Sequence, residues 1–472
     1  MDKWKIRTKI EVGFGIIVVL MLLSVAIIPA LTRTITSSSD TIDTYIRNSK
    51  GNYWVASGTN IQTAIDDLTN GGTVWLPSGN LTISIGLTLL SNVAIIGCGV
   101  NITRINYFAA AGGFIPITID GKQNVTLRDF TIDMHDGGSN SLYIAGSSKN
   151  IWIEDILFVK SGYQSIYSAG GCRNLFLSNI KVYSGITTPG HGIGLDKVND
   201  SVINNYICEA YTYNIAQDGI DFNRCQNITL NNAIVKGLGW NDGIKINYCK
   251  KILVSNIIVK DVHGYGIKLS QNSYVDISNF YVENTSSGIY SDSTGNHYDL
   301  SNGHIIDTEL IGLYIDSSTN VSCSNIEIYD AGTKGISLTG TNVVMDNLRI
   351  FKSGSDGKIY SSSKNILITN SIFAYTTGMG LSIDGTSQMV ISNCIFDSNT
   401  GDGIDTTITS CNNYSITNCY FKGNAKAIDL KSDDNWFLVT NCICDPSDGI
   451  DINAALSSTR RVNNSICVLT QS

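Results

Sequence analysis

Asp218 and Asp242 stand one repeat apart, each directly before a glycine, and each is followed three residues later by another ionisable group, Asp221 and Lys245. The later position continues through Lys268, Tyr290 and Tyr314, and the earlier one includes His191 and Tyr265. Acids, ammonium groups and phenols repeated in this way could present an acid and a base to one substrate. Glycoside hydrolysis needs two carboxyls in opposed roles, for which Asp218 and Asp242 are the candidates, with Asp221 alongside. A lyase or epimerase would instead need a cation against a substrate carboxylate and a nearby base, and Lys245, Lys268, His263 and Tyr265 supply those types. The longest spacers carry Tyr211, Tyr213 and Trp240, whose rings either stack on sugars along a groove or pack on the outside of the fold. A blander reading competes, because Asp-Gly is common turn chemistry and Asp221 and Lys245 could simply neutralise one another on a solvent face. Asp-Gly recurs at Asp356-Gly357, Asp402-Gly403 and Asp448-Gly449, where no second column of acids is expected.

These residues are held by a repeat. An asparagine returns every 22 to 27 residues, at Asn179, Asn205, Asn232, Asn256, Asn279, Asn302 and onward to Asn464, with Asp129 and Asp155 in the same place earlier, making fifteen repeats of about 23 residues. That period with β-branched runs predicts stacked β-coils. An asparagine at one corner of each coil can bond the coils above and below, satisfying buried turn groups along the stack. Each repeat also carries a glycine, such as Gly219, Gly243 or Gly266, read as a turn residue of positive φ. After it apolar and polar residues alternate, as in Ile220-Asp221-Phe222 and Ile244-Lys245-Ile246, the period of a strand with one buried face. Asp221, Lys245, Lys268, Tyr290 and Tyr314 are the outward members, spaced about 5 Å apart on successive coils. Two further alternating runs flank the asparagine. The expected fold is all-β: a single-stranded right-handed parallel β-helix of fifteen or more coils, over residues 53–472. Ile61, Ala64, Ile65 and Leu68 share one face of a short helix that would cap the first coil.

Only five prolines and 45 glycines suit a turn-rich stack that can seldom lose a ladder hydrogen bond. The net charge of −8 argues against nucleic acid as a partner. No metal ligand set is assigned and no cofactor is implied; a bound calcium ion is the one cofactor left open. Twelve cysteines in an exported chain invite disulfides, but Cys394, Cys419 and Cys442 each follow a ladder asparagine and Cys444 and Cys467 lie three residues past one. Stacked equivalent positions have poor disulfide geometry, so the expectation is a column of buried thiols. At the N-terminus, Val12 to Leu31 runs 20 residues without a charge, behind Lys3, Lys5, Arg7 and Lys9. It is long enough to span a bilayer, and the positive-inside rule puts residues 32–472 outside, with a Ser/Thr-rich linker over 32–52. Cleavage as a signal peptide near Ser24-Val25-Ala26 is the alternative.

The start of the repeat resembles a known family. Ser57-Gly58-Thr59-Asn60-Ile61-Gln62-Thr63-Ala64-Ile65, then Gly71-Gly72-Thr73-Val74-Trp75-Leu76-Pro77, then Ile95-Ile96-Gly97-Cys98-Gly99 look like the opening of the pectate-lyase-like superfamily, which includes polygalacturonases, rhamnogalacturonases and phage tailspikes. The resemblance implies a β-helix acting on, or binding, a polysaccharide or glycoconjugate. Gln217-Asp218-Gly219-Ile220-Asp221, Asn241-Asp242-Gly243 and His263-Gly264 resemble the polygalacturonase motifs and imply catalytic roles for Asp218, Asp221, Asp242 and His263. The pattern departs from the family where Asn241 replaces an Asp and where the one Gly-His-Gly, Gly190-His191-Gly192, precedes the acids. A membrane-anchored external enzyme acting on a polysaccharide and a non-catalytic surface β-helix that binds glycans are the two readings the sequence supports.

Overall fold

Residues one repeat apart become neighbours in parallel strands. The structure, a computed structural model, describes residues 45–108, 115–135, 139–183, 191–210, 218–239, 241–355, 357–360, 363–406, 411–430, 435–445, 452–453 and 461–463. Along one ladder Ile193 pairs with Ile220, Ile220 with Ile244, Ile244 with Ile267, Ile267 with Ile289 and Ile289 with Leu313. All of these side chains are buried. The apolar alternation fixes this register, since a slip of one residue would turn every core side chain outward. Two further ladders run alongside, through Ile228, Ile252 and Val275, and through Ala233, Ile257 and Phe280. The result is a single all-β solenoid of about 14 turns, close to the fifteen or more coils expected.

The predicted capping helix spans Gly58–Asp66, with Ser57 as N-cap accepting the Asn60 N–H at 3.3 Å. Ile61, Ala64, Ile65 and Leu68 are fully buried against the first coils. Tyr45–Asn48, inside the stretch read as linker, is a strand that pairs antiparallel with Tyr53–Val55 and Gly72–Trp75. The apolar segment Val12–Leu31 and the last repeat asparagine, Asn464, lie outside the described residues. Among the described residues no helix is long and apolar enough to cross a membrane.

The turn chemistry reverses the roles expected of Gly and Asn. The repeat glycines Gly219, Gly243 and Gly266 do not have positive φ; the ladder asparagines do, at 53° to 55° from Asn179 to Asn441. Asn is the non-glycine residue that enters the left-handed region most readily. The glycines are small for another reason. A Cβ on Gly243 would lie 2.4 Å from Val259 Cγ1 and 2.6 Å from Gly266 O, and one on Gly219 would meet Val235 and Gly243 in the same way. The amide ladder itself forms: Asn205 Nδ2 donates to Asn179 Oδ1 at 2.9 Å, Asn232 to Asn205 at 3.1 Å and Asn347 to Asn325 at 2.8 Å. It runs along a half-exposed corner, so it orders a turn instead of rescuing deeply buried groups.

A second left-handed column precedes the first by five residues, with Asn124, Asn150, Asn174, Asn227, Asn320, Asn342 and Asn365 among its members. It carries its own amide ladder, as in Asn150 to Asn124 and Asn174 to Asn150, both at 2.9 Å. The thiol column also holds in part. Cys394, Cys419 and Cys442 are buried thiols, but Cys444 is disulfide-bonded, contrary to expectation. Stacking at an equivalent repeat position is thus not enough to keep a thiol unbonded.

Candidate functional site

Strand pairing aligns the outward column residue by residue. Tyr143 pairs with Tyr167, Tyr167 with Gly194, Gly194 with Asp221, Asp221 with Lys245, Lys245 with Lys268, Lys268 with Tyr290 and Tyr290 with Tyr314. The register read from alternation is therefore the observed one. The structure adds Tyr143 and Tyr167, which sequence reasoning missed although they share the frame. Their rings stack at 5.8 Å between centroids. Beyond the ionisable residues, Tyr265 stacks on Tyr290 at 4.0 Å and Tyr290 on Tyr314 at 4.6 Å. Aromatic faces thus flank the charged rungs on both sides.

Between Tyr167 and Asp221 the column has a notch at Gly194. A Cβ there would come within 2.1 Å of Gln164 Nε2, so the carboxamide of Gln164 lies across the space a side chain would take. Gln164 is buried, and its Oε1 has no hydrogen-bond partner. On the next rung Asp221 Oδ1 is also buried without a partner. Buried acceptors left unmatched are expensive and are uncommon in a settled interior. Burial pushes the Asp221 carboxyl up to about 6, with Lys245 pulling the other way and Asp218 and Asp196 adding to the rise.

The two acids placed before glycines are engaged differently. Asp218 is buried; its Oδ1 accepts the Asp242 backbone N–H at 3.0 Å and its Oδ2 lies 3.3 Å from Lys245 Nζ. Asp242 repeats the motif one coil on, its Oδ1 accepting the Tyr265 N–H at 3.0 Å. Each therefore braces the following coil, which is the turn role weighed against catalysis in the sequence. Burial, then the nearby Asp218 charge, pushes Asp242 up to about 6. Burial lowers the Lys245 pKa, but Asp218 and Asp221 outweigh it and hold the ammonium above its ordinary value. Lys268 is paired with Asp292 at 3.4 Å and sits 5.2 Å from the Tyr265 ring centre.

Asp218, Asp221, Asp242, Lys245, Lys268, Tyr265, Tyr290 and Tyr314 are thus brought onto adjoining rungs of one face. His263 is exposed, two residues ahead of Tyr265, and its N–H donates to Leu238 O at 3.1 Å. Tyr211, Tyr213 and Trp240 lie outside the described residues, as does the side chain of His191. A shallow cleft of about 210 Å³ lined by His304, Glu327 and Arg349 belongs to another ladder and includes none of the candidates.

The later Asp-Gly pair does have an acid column, against expectation. Asp405 follows Ser382 on the outward column and Asp429 follows Asp405. Oxygens of Asp402, Asp405 and Asp429 lie within 4.8 Å of one another. Burial, partly offset by Lys426, pushes Asp402 up to about 6. Asp356 and Asp448 lie outside the described residues.

Comparison with known proteins places these coils. Residues 49–268 match the family described as rhamnogalacturonase A/epimerase, pectate lyase-like, and residues 287–466 match the right-handed beta helix region family. No curated protein sequence matches the chain. Similar solved structures include the N-terminal fragment of bacteriophage phi29 gene product 12, at 12% identity and TM-score 0.47, covering 87% of this chain and 90% of that one. PfbA, a surface adhesin of Streptococcus pneumoniae, shows 14% identity and TM-score 0.41 over 72% of this chain and 90% of its own. The A-module of the Azotobacter vinelandii mannuronan C-5 epimerase AlgE6 shows 14% identity and TM-score 0.30 over 87% and 97%. The opening motif, the parallel register and the two family matches agree, and together they support a right-handed parallel β-helix of the pectate-lyase-like type.

Proposed function

We propose that the chain acts on a polysaccharide laid along the outward column from Tyr143 to Tyr314. The observation that carries this reading is Asp221: a buried carboxyl with one oxygen unpartnered, pushed up to about 6, beside a notch and between two stacks of tyrosines. A carboxyl held partly protonated near neutrality is suited to donate a proton to a leaving oxygen. Asp242, also near 6, is the second carboxyl, and Asp218 with Lys245 sets the local field. Tyr265, Tyr290 and Tyr314 would bind sugar faces, joined by His191, Tyr211, Tyr213 and Trp240 if their loops border the groove. Hydrolysis fits this acid-rich centre better than elimination does, because Lys245 and Lys268 each already face a carboxylate. In the elimination or epimerisation reading, Lys268, His263 and Tyr265 would take the leading parts.

The family description that matches the first half names a rhamnogalacturonase A and an epimerase. An external location suits a chain that meets a polysaccharide, and Val12–Leu31 would anchor it with the β-helix outside. Protease added to intact cells should then remove the β-helix. Resistance that ends on lysis would reverse the orientation.

The test of activity is incubation of the purified full chain with a panel of neutral and acidic polysaccharides, scoring new reducing ends and unsaturated uronate. Turnover that disappears in Asp221→Asn supports the reading, and turnover that survives it removes Asp221 from the mechanism. A glycan-binding role without turnover is the second reading. It is favoured by the engagement of Asp218 and Asp242 with backbone N–H groups, and binding without cleavage across the panel would establish it.

A further inference from the structure

The tetrapeptide Asp218-Gly219-Ile220-Asp221 recurs unchanged as Asp402-Gly403-Ile404-Asp405 and as Asp448-Gly449-Ile450-Asp451, of which the first two copies lie among the described residues. The two copies sit on the same ladder, eight rungs apart. The following rung completes each set, with Asp242 and Lys245 in the first and Lys426 and Asp429 in the second. Each set is three carboxylates and one ammonium, with the lysine moved from the outward column to the position before the glycine equivalent.

In the second set the two acids on the outward column are buried. Asp405 is 2% exposed and Asp429 8%. Lys426 Nζ contacts Asp429 Oδ2, while Asp429 Oδ1 is buried with no partner. One rung before Asp405, on the same column, Ser382 is completely buried and its Oγ has no hydrogen-bond partner either. A parallel register points the Ser382 side chain to the same face as Asp405. Carboxylates gathered on adjoining rungs repel one another, and a divalent cation held between them would relieve that repulsion.

We propose that Asp402, Asp405 and Asp429, with the hydroxyl of Ser382, form a binding site for a hard divalent cation of calcium size that ties two consecutive coils together. The ligand types are all hard oxygens, as calcium and magnesium require. Ligands at about 2.3–2.6 Å from one calcium can lie up to roughly 4.6–5.2 Å apart, so the observed convergence within 4.8 Å admits calcium without movement of the coils. In this site Lys426 is a competitor for the carboxylates, so the cation and the ammonium share one charge deficit.

The experiment uses the full chain, stripped with a chelator and titrated with calcium or magnesium chloride while the thermal midpoint and the heat of binding are followed. Calcium should raise the midpoint by several degrees and magnesium by less. Asp405→Asn should abolish the calcium response. Lys426→Gln should bind calcium at least about tenfold more tightly, because a competing charge is gone. If Asp405→Asn does not fold, Ser382→Ala serves in its place and should weaken calcium binding with the fold retained. A wild-type midpoint indifferent to calcium, with Lys426→Gln merely destabilised and not rescued by calcium, would show that Lys426 alone balances the acids. A calcium response undiminished in Asp405→Asn, or in Ser382→Ala where that variant is used, would place the ion elsewhere; either result overturns the proposal.

Discussion

The Asp-Gly-Ile-Asp segments that begin at Asp218 and Asp402 share sequence, backbone position and column, yet their surroundings differ. Around Asp221 the neighbouring rungs offer a glycine notch on one side and Lys245, Lys268 and stacked tyrosines on the other. Around Asp405 the neighbours are a buried serine and a third carboxylate. The first set is flanked by stacked ring faces, and the second gathers its carboxylates beside a buried hydroxyl. The same four residues therefore specify a turn and a charge, while the rungs on either side decide what the charge can do.

The sharpest way to break this contrast is to neutralise the equivalent acids. Asp221→Asn should lower turnover of an active polysaccharide by roughly 10²–10⁴-fold, the usual contribution of a positioned acid. Asp405→Asn should leave turnover per folded molecule within about twofold, because by the reasoning above it touches no substrate. Steady-state rates normalised to folded protein measure both, and equal losses would mean the two sets are one functional unit. The wild-type rate should also fall as pH rises through about 6, where Asp221 gives up its proton.

A steric contrast comes next in size. Gly243→Ala in the first set would drive a Cβ to 2.4 Å from Val259 Cγ1, and overpacking of this kind costs about 1–3 kcal/mol or more. The second set already carries Ala427 at the glycine position. There the column that holds Val259, and later Phe421, has reached the smaller Cys444. Gly243→Ala should therefore be partly rescued by Val259→Ala in denaturant melts. Failure of the pair to recover any stability would point to the Gly266 carbonyl as the obstacle instead.

The acids also predict a pH profile for stability. The folded pKa of Asp221 and of Asp242 is raised from the ordinary 3.8 to about 6, chiefly by burial. The fold therefore favours their protonated forms. Their contribution is complete below about pH 4 and is lost as pH rises through about 6. Asp221→Asn should accordingly raise the unfolding free energy at pH 8 by an amount on the order of 1–2 kcal/mol, read as a higher thermal midpoint, and change it little at pH 4. An unchanged midpoint at both values would mean that Asp221 is solvated in solution.

Much of this was legible in the residues. The alternation Ile220-Asp221-Phe222 carries its own register because burial permits no slip, so the column Asp221, Lys245, Lys268, Tyr290, Tyr314 could be read directly. Backbone angle was not legible in the same way. Gly and Asn both favour positive φ, and only the approach of Val259 to Gly243 shows which residue is there for its angle and which for its size. The second acid column escaped notice because Ala427 replaces the marker glycine and Lys426 stands where an acid was sought. The free carboxyl of the first set also needed coordinates. Nothing in Asp218 or Asp221 as residue types tells which one accepts the Asp242 N–H. Cys444 was misjudged because stacking at an equivalent repeat position does not by itself exclude a disulfide.

The smallest expected effect separates angle from hydrogen bonding at the asparagine corner. Asn279 holds φ at 53° and donates to Asn256 Oδ1 at 3.1 Å, on a half-exposed edge. Asn279→Gly keeps the angle and removes the bond, so it should cost about 0.5–1.5 kcal/mol. Asn279→Ala removes the bond and adds the left-handed penalty of about 1 kcal/mol. Denaturant midpoints should therefore order wild type above Gly and Gly above Ala. An Ala variant equal to the Gly variant would show that the backbone relaxes at this corner. The amide ladder would then be the whole reason for the repeated asparagine, at the first set's coils and the second set's alike.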